Sequence, residues 1–263
     1  VVTYRAHVEY DGTRYNGFQI QADKPTIQGE LERSLAQVTQ QSVRVTGAGR
    51  TDSGVHAHGQ VISFKAAWSH AVSELQRAMN ATLPDDIAVR DVAVAPEGFH
   101  ARFSASSREY VYRILNSAQR SPLRERYAWR VETPLAMERM AEASGLLVGR
   151  HDLAAFGQPP VGTNTTRNVL RAVWASAADV LADLPEAEAQ PMLAFRIEAN
   201  AFLRGMVRRI VGTLLQVGQQ HLSVAEWQDI LLSRDISRAA APAPAQGLCL
   251  WRVRYEHGGA PEE

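Results

Sequence analysis

The chain has 263 residues, 45% of them hydrophobic, with 28 basic and 28 acidic side chains, so it can bury the core of one large or two small domains and carries no net charge. Its one cysteine, Cys249, excludes an intramolecular disulfide and a cysteine-based zinc site. No apolar run approaches membrane-spanning length, and residues 1–12 lack the basic, apolar and small-residue order of a signal peptide. A soluble cytoplasmic protein with no membrane partner is expected.

In chain order, Thr3 to Glu9 alternates as a strand, and Ile27, Leu31, Leu35 and Val38 recur on one face of a helix. Strands at Val43 to Val45 and Gln60 to Phe64 bracket a glycine-rich connection. Val72, Leu75, Met79 and Leu83 mark a second helix, followed by a strand from Ile87 to Ala95. The order β-α-β-β-α-β then recurs: strand Tyr110 to Leu115, helix Leu135 to Leu147, strands Val169 to Ser176 and Met192 to Glu198, helices Phe202 to Val217 and Val224 to Leu232, and strand Leu248 to Tyr255. This pattern predicts an α+β protein with an N-terminal half at 1–103, a C-terminal half at 104–256 and a frayed tail at 257–263. Tyr10 to Pro25, Ser117 to Arg126 and Phe156 to Asn168 are long connections and candidate gripping loops. Residues 239–245, rich in alanine and proline, are expected to form a stiff surface connection.

The connection between the second and third strands reads GAGRTDSGVHAHGQV from Gly47 to Val61, with Arg50 and Asp52 two positions apart. A dinucleotide fingerprint would need a third glycine where Asp52 stands and a helix after it; a Walker loop would need Gly-Lys-Ser/Thr. Two readings remain for Asp52. It closes the turn by bonding local N–H groups, or, with Arg50 nearby to keep it ionised, it serves as a nucleophile.

Charge is unevenly distributed. Residues 100–130 hold seven arginines against two acids, Arg204, Arg208 and Arg209 cluster within an acid-free stretch, and Asp179, Asp183, Glu186 and Glu188 gather elsewhere. Such segregation gives a neutral chain a local positive surface able to follow phosphates, with Arg124, Arg126 and Arg204 as candidate contacts; a solvated face is the plain alternative. Lysine occurs only at Lys24 and Lys65, and arginine suits bidentate phosphate contacts and base stacking.

The GAGRTDSGVHAHGQV string resembles the signature of the TruA-type tRNA pseudouridine synthases. Similar segments follow that family's order along most of the chain: Tyr10-Asp11-Gly12-Thr13, Thr26-Ile27-Gln28, Phe99 to Ala105, Arg108 to Ile114, Asn200 to Gly212 and Gly247 to Leu250. Ser53, Gly205, Arg209 and Leu153 depart from the commonest residues. The resemblance implies two tandem ferredoxin-like (βαββαβ) halves whose antiparallel sheets merge, with a catalytic cleft between them. It implies isomerisation of uridine to pseudouridine at positions 38, 39 and 40 of the tRNA anticodon stem-loop by a homodimer.

It further implies that Asp52 is the nucleophile, that Tyr110 stacks on the target base and helps proton transfer, that Arg208 pairs with the aspartate, and that Leu248 walls the base pocket. The target uridine must leave its stack, and Arg50 has the reach and planarity to fill the space it vacates. Bond rearrangement without redox change needs no nicotinamide or other nucleotide cofactor, and tRNA is the partner.

Two readings from other classes are a catalytically silent tRNA-binding module and a metal-dependent hydrolase. Asp52 with Arg50 and Tyr110 argues against the first. The second would draw on His56 and His58 with His7, His100, His151 or His221, but no carboxylate cluster at ligand spacing accompanies them, so no metal site is expected.

Overall fold

A computed structural model describes residues 1–159, 162–176 and 192–255. The acidic cluster from Asp179 to Glu188 and the 257–263 tail lie outside the described residues. The protein is mixed α+β and divides into two compact units, one of Val1–Arg108 with the chain from Leu250 onward, the other of Glu109–Cys249.

The first unit runs β1 (Val2–Tyr10), α1 (Ile27–Thr39), β2 (Val45–Gly47), β3 (His56–Ala66), α2 (Val72–Thr82) and β4 (Ile87–Val94). β1 lies between β4 and β3, and β2 pairs with β3, all antiparallel. The register places Tyr4 opposite Phe64 and Val8 opposite Gln60. The side chains of Tyr4, Ala6, Val8 and Tyr10 are therefore buried together with Ile27, Leu31 and Leu35 of α1 and Leu75 and Met79 of α2. Thr26 caps α1 by accepting the Gly29 N–H. Ser34, fully buried, donates to the Met79 carbonyl and meets the Thr82 hydroxyl at 2.7 Å, so its polar group at this helix crossing is satisfied.

The second unit contains most of β5 (Ala105–Asn116), then α3 (Pro122–Glu125), β6 (Trp129–Val131), α4 (Met137–Gly145), β7 (Gly149–Asp152), β8 (Thr166–Ser176), β9 (Met192–Ala199), α5 (Met206–Gly218) and α6 (Val224–Ser233). Its strand order is β5-β9-β8-β7, with β6 parallel to β5. β10 (Leu248–Tyr255) is the last strand among the described residues. β6 and β7 are too short to show a period in sequence.

The helix expected from Phe202 begins instead at Met206. Residues before it stay extended because the Arg204 N–H bonds to Gln158, and Gly205 at φ +70° turns the chain into the helix, a conformation that costs glycine little. Residues 239–245 form a surface connection in part, with Ala241 and Pro242 exposed and Ala243 buried. Having no polar side chains, they satisfy their backbone through α5: Arg208 Nε donates to the Ala243 carbonyl at 2.7 Å, Arg209 to that of Ala240, and the Ala240 N–H to the Thr213 hydroxyl. The Tyr112 hydroxyl donates to the Pro244 carbonyl at 2.8 Å.

Glu109, 1% exposed, pairs with Arg196 of β9 at 2.7 Å. A carboxylate this deep is tolerable only when paired, because its own desolvation is unfavourable. Arg196→Ala should therefore lower unfolding free energy by about 3 kcal/mol. Urea denaturation checks this; a loss under ~1 kcal/mol would mean that water solvates Glu109 in the variant.

Candidate active site

Residues 48–55, between β2 and β3, form a loop whose backbone is bonded from outside at residues 48, 49, 51 and 54. The Ala48 N–H donates to the Val61 carbonyl at 2.8 Å, and the Ala48 carbonyl accepts Nε and Nη2 of Arg108 at 3.2 and 3.0 Å. Gln60, fully buried on β3, bonds Gly49 in both directions: its Nε2 donates to the Gly49 carbonyl at 2.8 Å and its Oε1 accepts the Gly49 N–H. Thr51, 6% exposed, has its hydroxyl 2.8 Å from that of Tyr10, and its carbonyl accepts the Phe18 N–H. Beyond Asp52, the Gly54 N–H and the Ser53 hydroxyl both donate to the Tyr15 carbonyl, and the Val55 N–H closes a turn onto the Asp52 carbonyl. Asp52 itself is half-buried and Arg50 exposed. The geometry thus fixes the main chain on both sides of the carboxylate.

The brace comes from residues 10–18, within the Tyr10 to Pro25 connection expected from sequence to be a gripping loop. Asp11 accepts the N–H and hydroxyl of Thr13, and the Gly12 N–H donates to Nδ1 of His56 at 3.1 Å. Tyr15 donates its hydroxyl to Asp86 at 2.6 Å, and Arg14 also pairs with Asp86. Burial, followed by the Asp86 hydrogen bond, holds the Tyr15 phenol above its usual pKa, so it stays protonated as a donor. Gly17 has φ +93°, and a Cβ there would come within 2.7 Å of the Thr51 carbonyl. Only glycine allows the two segments to lie this close.

The other residues singled out in the sequence belong to the second unit. Tyr110, 6% exposed, packs edge-on against Phe202 with ring centroids 4.9 Å apart. Tyr112 lies two residues along the same strand, fully buried, with its hydroxyl committed to Pro244 and its pKa raised by burial. Tyr112 is thus a core residue. Arg208 is half-buried with Nε on the Ala243 carbonyl, Leu248 is 5% exposed, and Arg204 is exposed. Arg124 is half-buried in α3, and Arg126 is exposed beside the Tyr127 ring.

Among the described residues no group of three or more His, Cys, Asp or Glu is arranged to hold a metal ion. His56 is engaged with Asp11 and Gly12, and His58 stacks on Trp251 at 4.6 Å.

Three residues that hold the loop carry no role in the sequence reading: Tyr10, Gln60 and Arg108. Tyr10 and Arg108 stand inside motif-like strings, but what they hold is apparent only in the fold. A glutamine within an otherwise apolar strand run was the available signal for Gln60.

A family model described as tRNA pseudouridine synthase matches residues 6–104 and 143–256. A tRNA pseudouridine synthase A of Geobacillus kaustophilus (strain HTA426) is 43% identical over 252 residues, covering 95% of this chain and 93% of that protein. One of Bacillus subtilis (strain 168) is 38% identical over 253 residues, covering 95% and 98%. Among solved structures, a chain of an H/ACA RNP bound to a substrate RNA containing 2'-deoxyuridine overlaps 81% of this chain and 53% of its own at 10% identity; its TM-score of 0.32 is too low to carry an argument.

Because Gly17 sets the distance between brace and loop, Gly17→Ala should cost about 1–3 kcal/mol and speed amide exchange across residues 49–55 more than in β1. Exchange mass spectrometry with a urea melt checks it. Uniform acceleration over the whole first unit would show general destabilisation in place of a released loop.

Proposed function

The chain belongs to the tRNA pseudouridine synthase family, and we propose that it isomerises uridine to pseudouridine at positions 38, 39 and 40 of the tRNA anticodon stem-loop, with Asp52 as nucleophile. The observation that carries the assignment of Asp52 is the bracing of residues 48–55, which holds one half-buried carboxylate in a fixed place beside an exposed arginine.

The reaction breaks the bond from ribose C1′ to uracil N1 and forms one from C1′ to C5. N1 gains a proton and C5 loses one, so composition and oxidation state are unchanged. A single carboxylate serves either by attacking C1′ to give a glycosyl ester or by removing the ribose 2′ proton, and a route through a C6 adduct also uses it. Arg50, exposed at the loop, takes the space left when the uridine leaves its stack. Tyr110 stacks on the displaced base, Arg208 supports the carboxylate, and Leu248 gives the base an apolar wall. These three roles rest on the family resemblance. Arg124, Arg126 and Arg204 are assigned to the phosphate backbone.

The tandem ferredoxin-like architecture draws support from the first unit, whose β-α-β-β-α-β order and strand sequence β4-β1-β3-β2 match one such half. A homodimer and a cytoplasmic setting complete the reading. Two-fold pairing would widen the basic platform of a neutral chain. Among the described residues no helix is long and apolar enough to cross a membrane.

Asp52→Asn should abolish turnover of unmodified tRNA while leaving tRNA affinity and the unfolding midpoint near wild type. Activity within about tenfold of wild type, a loss of only ~1.4 kcal/mol, would overturn the assignment. Chemical mapping on several tRNAs should place pseudouridine at more than one of the three neighbouring positions, and light scattering should report about twice the chain mass. A monomer, or modification in the T-arm, would refute the assembly or the site.

A further inference from the structure

Phe103 is 76% exposed, in a unit whose other large apolar side chains are mostly buried. It is not a loose side chain. The His100 ring stacks on it with centroids 4.4 Å apart and planes 27° apart, and the Arg102 guanidinium lies 5.5 Å from its centroid.

The turn beneath is closed by five hydrogen bonds. The Ser104 N–H donates to the His100 carbonyl, the His100 N–H to the Ser104 hydroxyl, and the N–H groups of Arg102 and Phe103 to His100 Nδ1. Arg108 donates to the Arg102 carbonyl. Ala101, fully buried, anchors the turn to the sheet through the Ser63 and Tyr255 hydroxyls.

A rigid aromatic ring backed by a second ring and flanked by a cation matches the chemistry that binds an unstacked nucleobase. An apolar protein partner would need neither the stacked histidine nor the cation. Arg108 adds a mechanical link, because the guanidinium on the Arg102 carbonyl also holds the carbonyl of Ala48 at the head of the Asp52 loop. A base resting on Phe103 would be held in fixed relation to the loop that carries Asp52.

We infer that Phe103, with His100 and Arg102, is a stacking platform for an unpaired base of the RNA substrate other than the uridine being modified. This rests on the tRNA-modifying function proposed above and adds to it a positioning contact. The contact is sequence-tolerant, since every base presents a π face.

The test compares Phe103→Ala, Phe103→Leu and Phe103→Tyr for tRNA affinity by filter binding and for steady-state turnover. Stacking predicts that Ala and Leu both weaken binding about tenfold, with the loss mainly in KM, while Tyr restores it. Phe103→Ala should leave the salt dependence of binding unaltered, whereas Arg102→Gln should flatten its slope by about one. Wild-type affinity in Phe103→Ala would overturn the platform while leaving the proposed function standing. So would Leu matching Phe, or a change of oligomeric mass in Phe103→Ala, which would mark a protein contact instead. A Phe103→Ala melting temperature lowered in step with affinity, without rescue by Tyr, would reduce the ring to a turn-stabilising role. Wild-type protein that neither binds nor modifies tRNA would remove the proposed function itself.

Discussion

Arg108 is nine-tenths buried and spends its guanidinium on three carbonyls, those of Ala48, Ala105 and Arg102. A buried cation that donates to carbonyl oxygens is costly unless its donors are matched in number and direction, and the planar five-donor fork of arginine makes that match possible where the point charge of lysine would not. The consequence runs along the chain. With Ala48 fixed, the side-chain amide of Gln60 can meet Gly49 from both sides, and Thr51 can lie between Tyr10 and Phe18. Asp52 then follows with little freedom. Removing the first anchor would leave buried backbone groups unpaired in series, each worth about 1–3 kcal/mol.

Such bracing suits the proposed reaction, in which one carboxylate does the chemistry. When no cofactor supplies reactivity, the rate depends on holding the carboxylate at a productive distance before the substrate arrives, because reorganising a glycine-rich loop during the reaction would add to the barrier. The glycines that make the loop compact would otherwise make it mobile. Their freedom is offset by contacts from a separate segment, residues 10–18, and the Tyr15–Asp86 hydrogen bond ties that segment back to the sheet just ahead of β4.

The sequence makes some features legible and hides others for physical reasons. Hydrophobic periodicity reports which side of an element is buried, so α1, α2, β1 and β4 could be placed within a few residues. The motif around Asp52 was legible because its residue types are unusual together. The partners of that motif were not, since Tyr10 meets Thr51 across 41 positions and Arg108 meets Ala48 across 60, and neither distance leaves a local pattern. The alanine- and proline-rich stretch at 239–245 was legible only in part, for the opposite reason. Composition alone suggests a spacer, while the need of its backbone groups for partners binds it to α5.

The same distinction bears on charge. Seven arginines between residues 100 and 130 suggest a broad phosphate-binding face when read as a string. In the fold, Arg108 is turned inward onto carbonyls, and Arg130 pairs with Glu132 at 2.6 Å and lies near Glu125. Both are occupied by structure, whereas Arg120 is exposed and Arg126, also exposed, lies beside the Tyr127 ring. The number of counterions released on RNA binding depends on the cations that reach phosphates, not on the total in a segment, so under the proposed function residues 100–130 would contribute a shallower salt dependence than seven charges imply. A neutral chain can therefore grip a polyanion with few arginines, provided stacking and shape supply the remainder of the affinity.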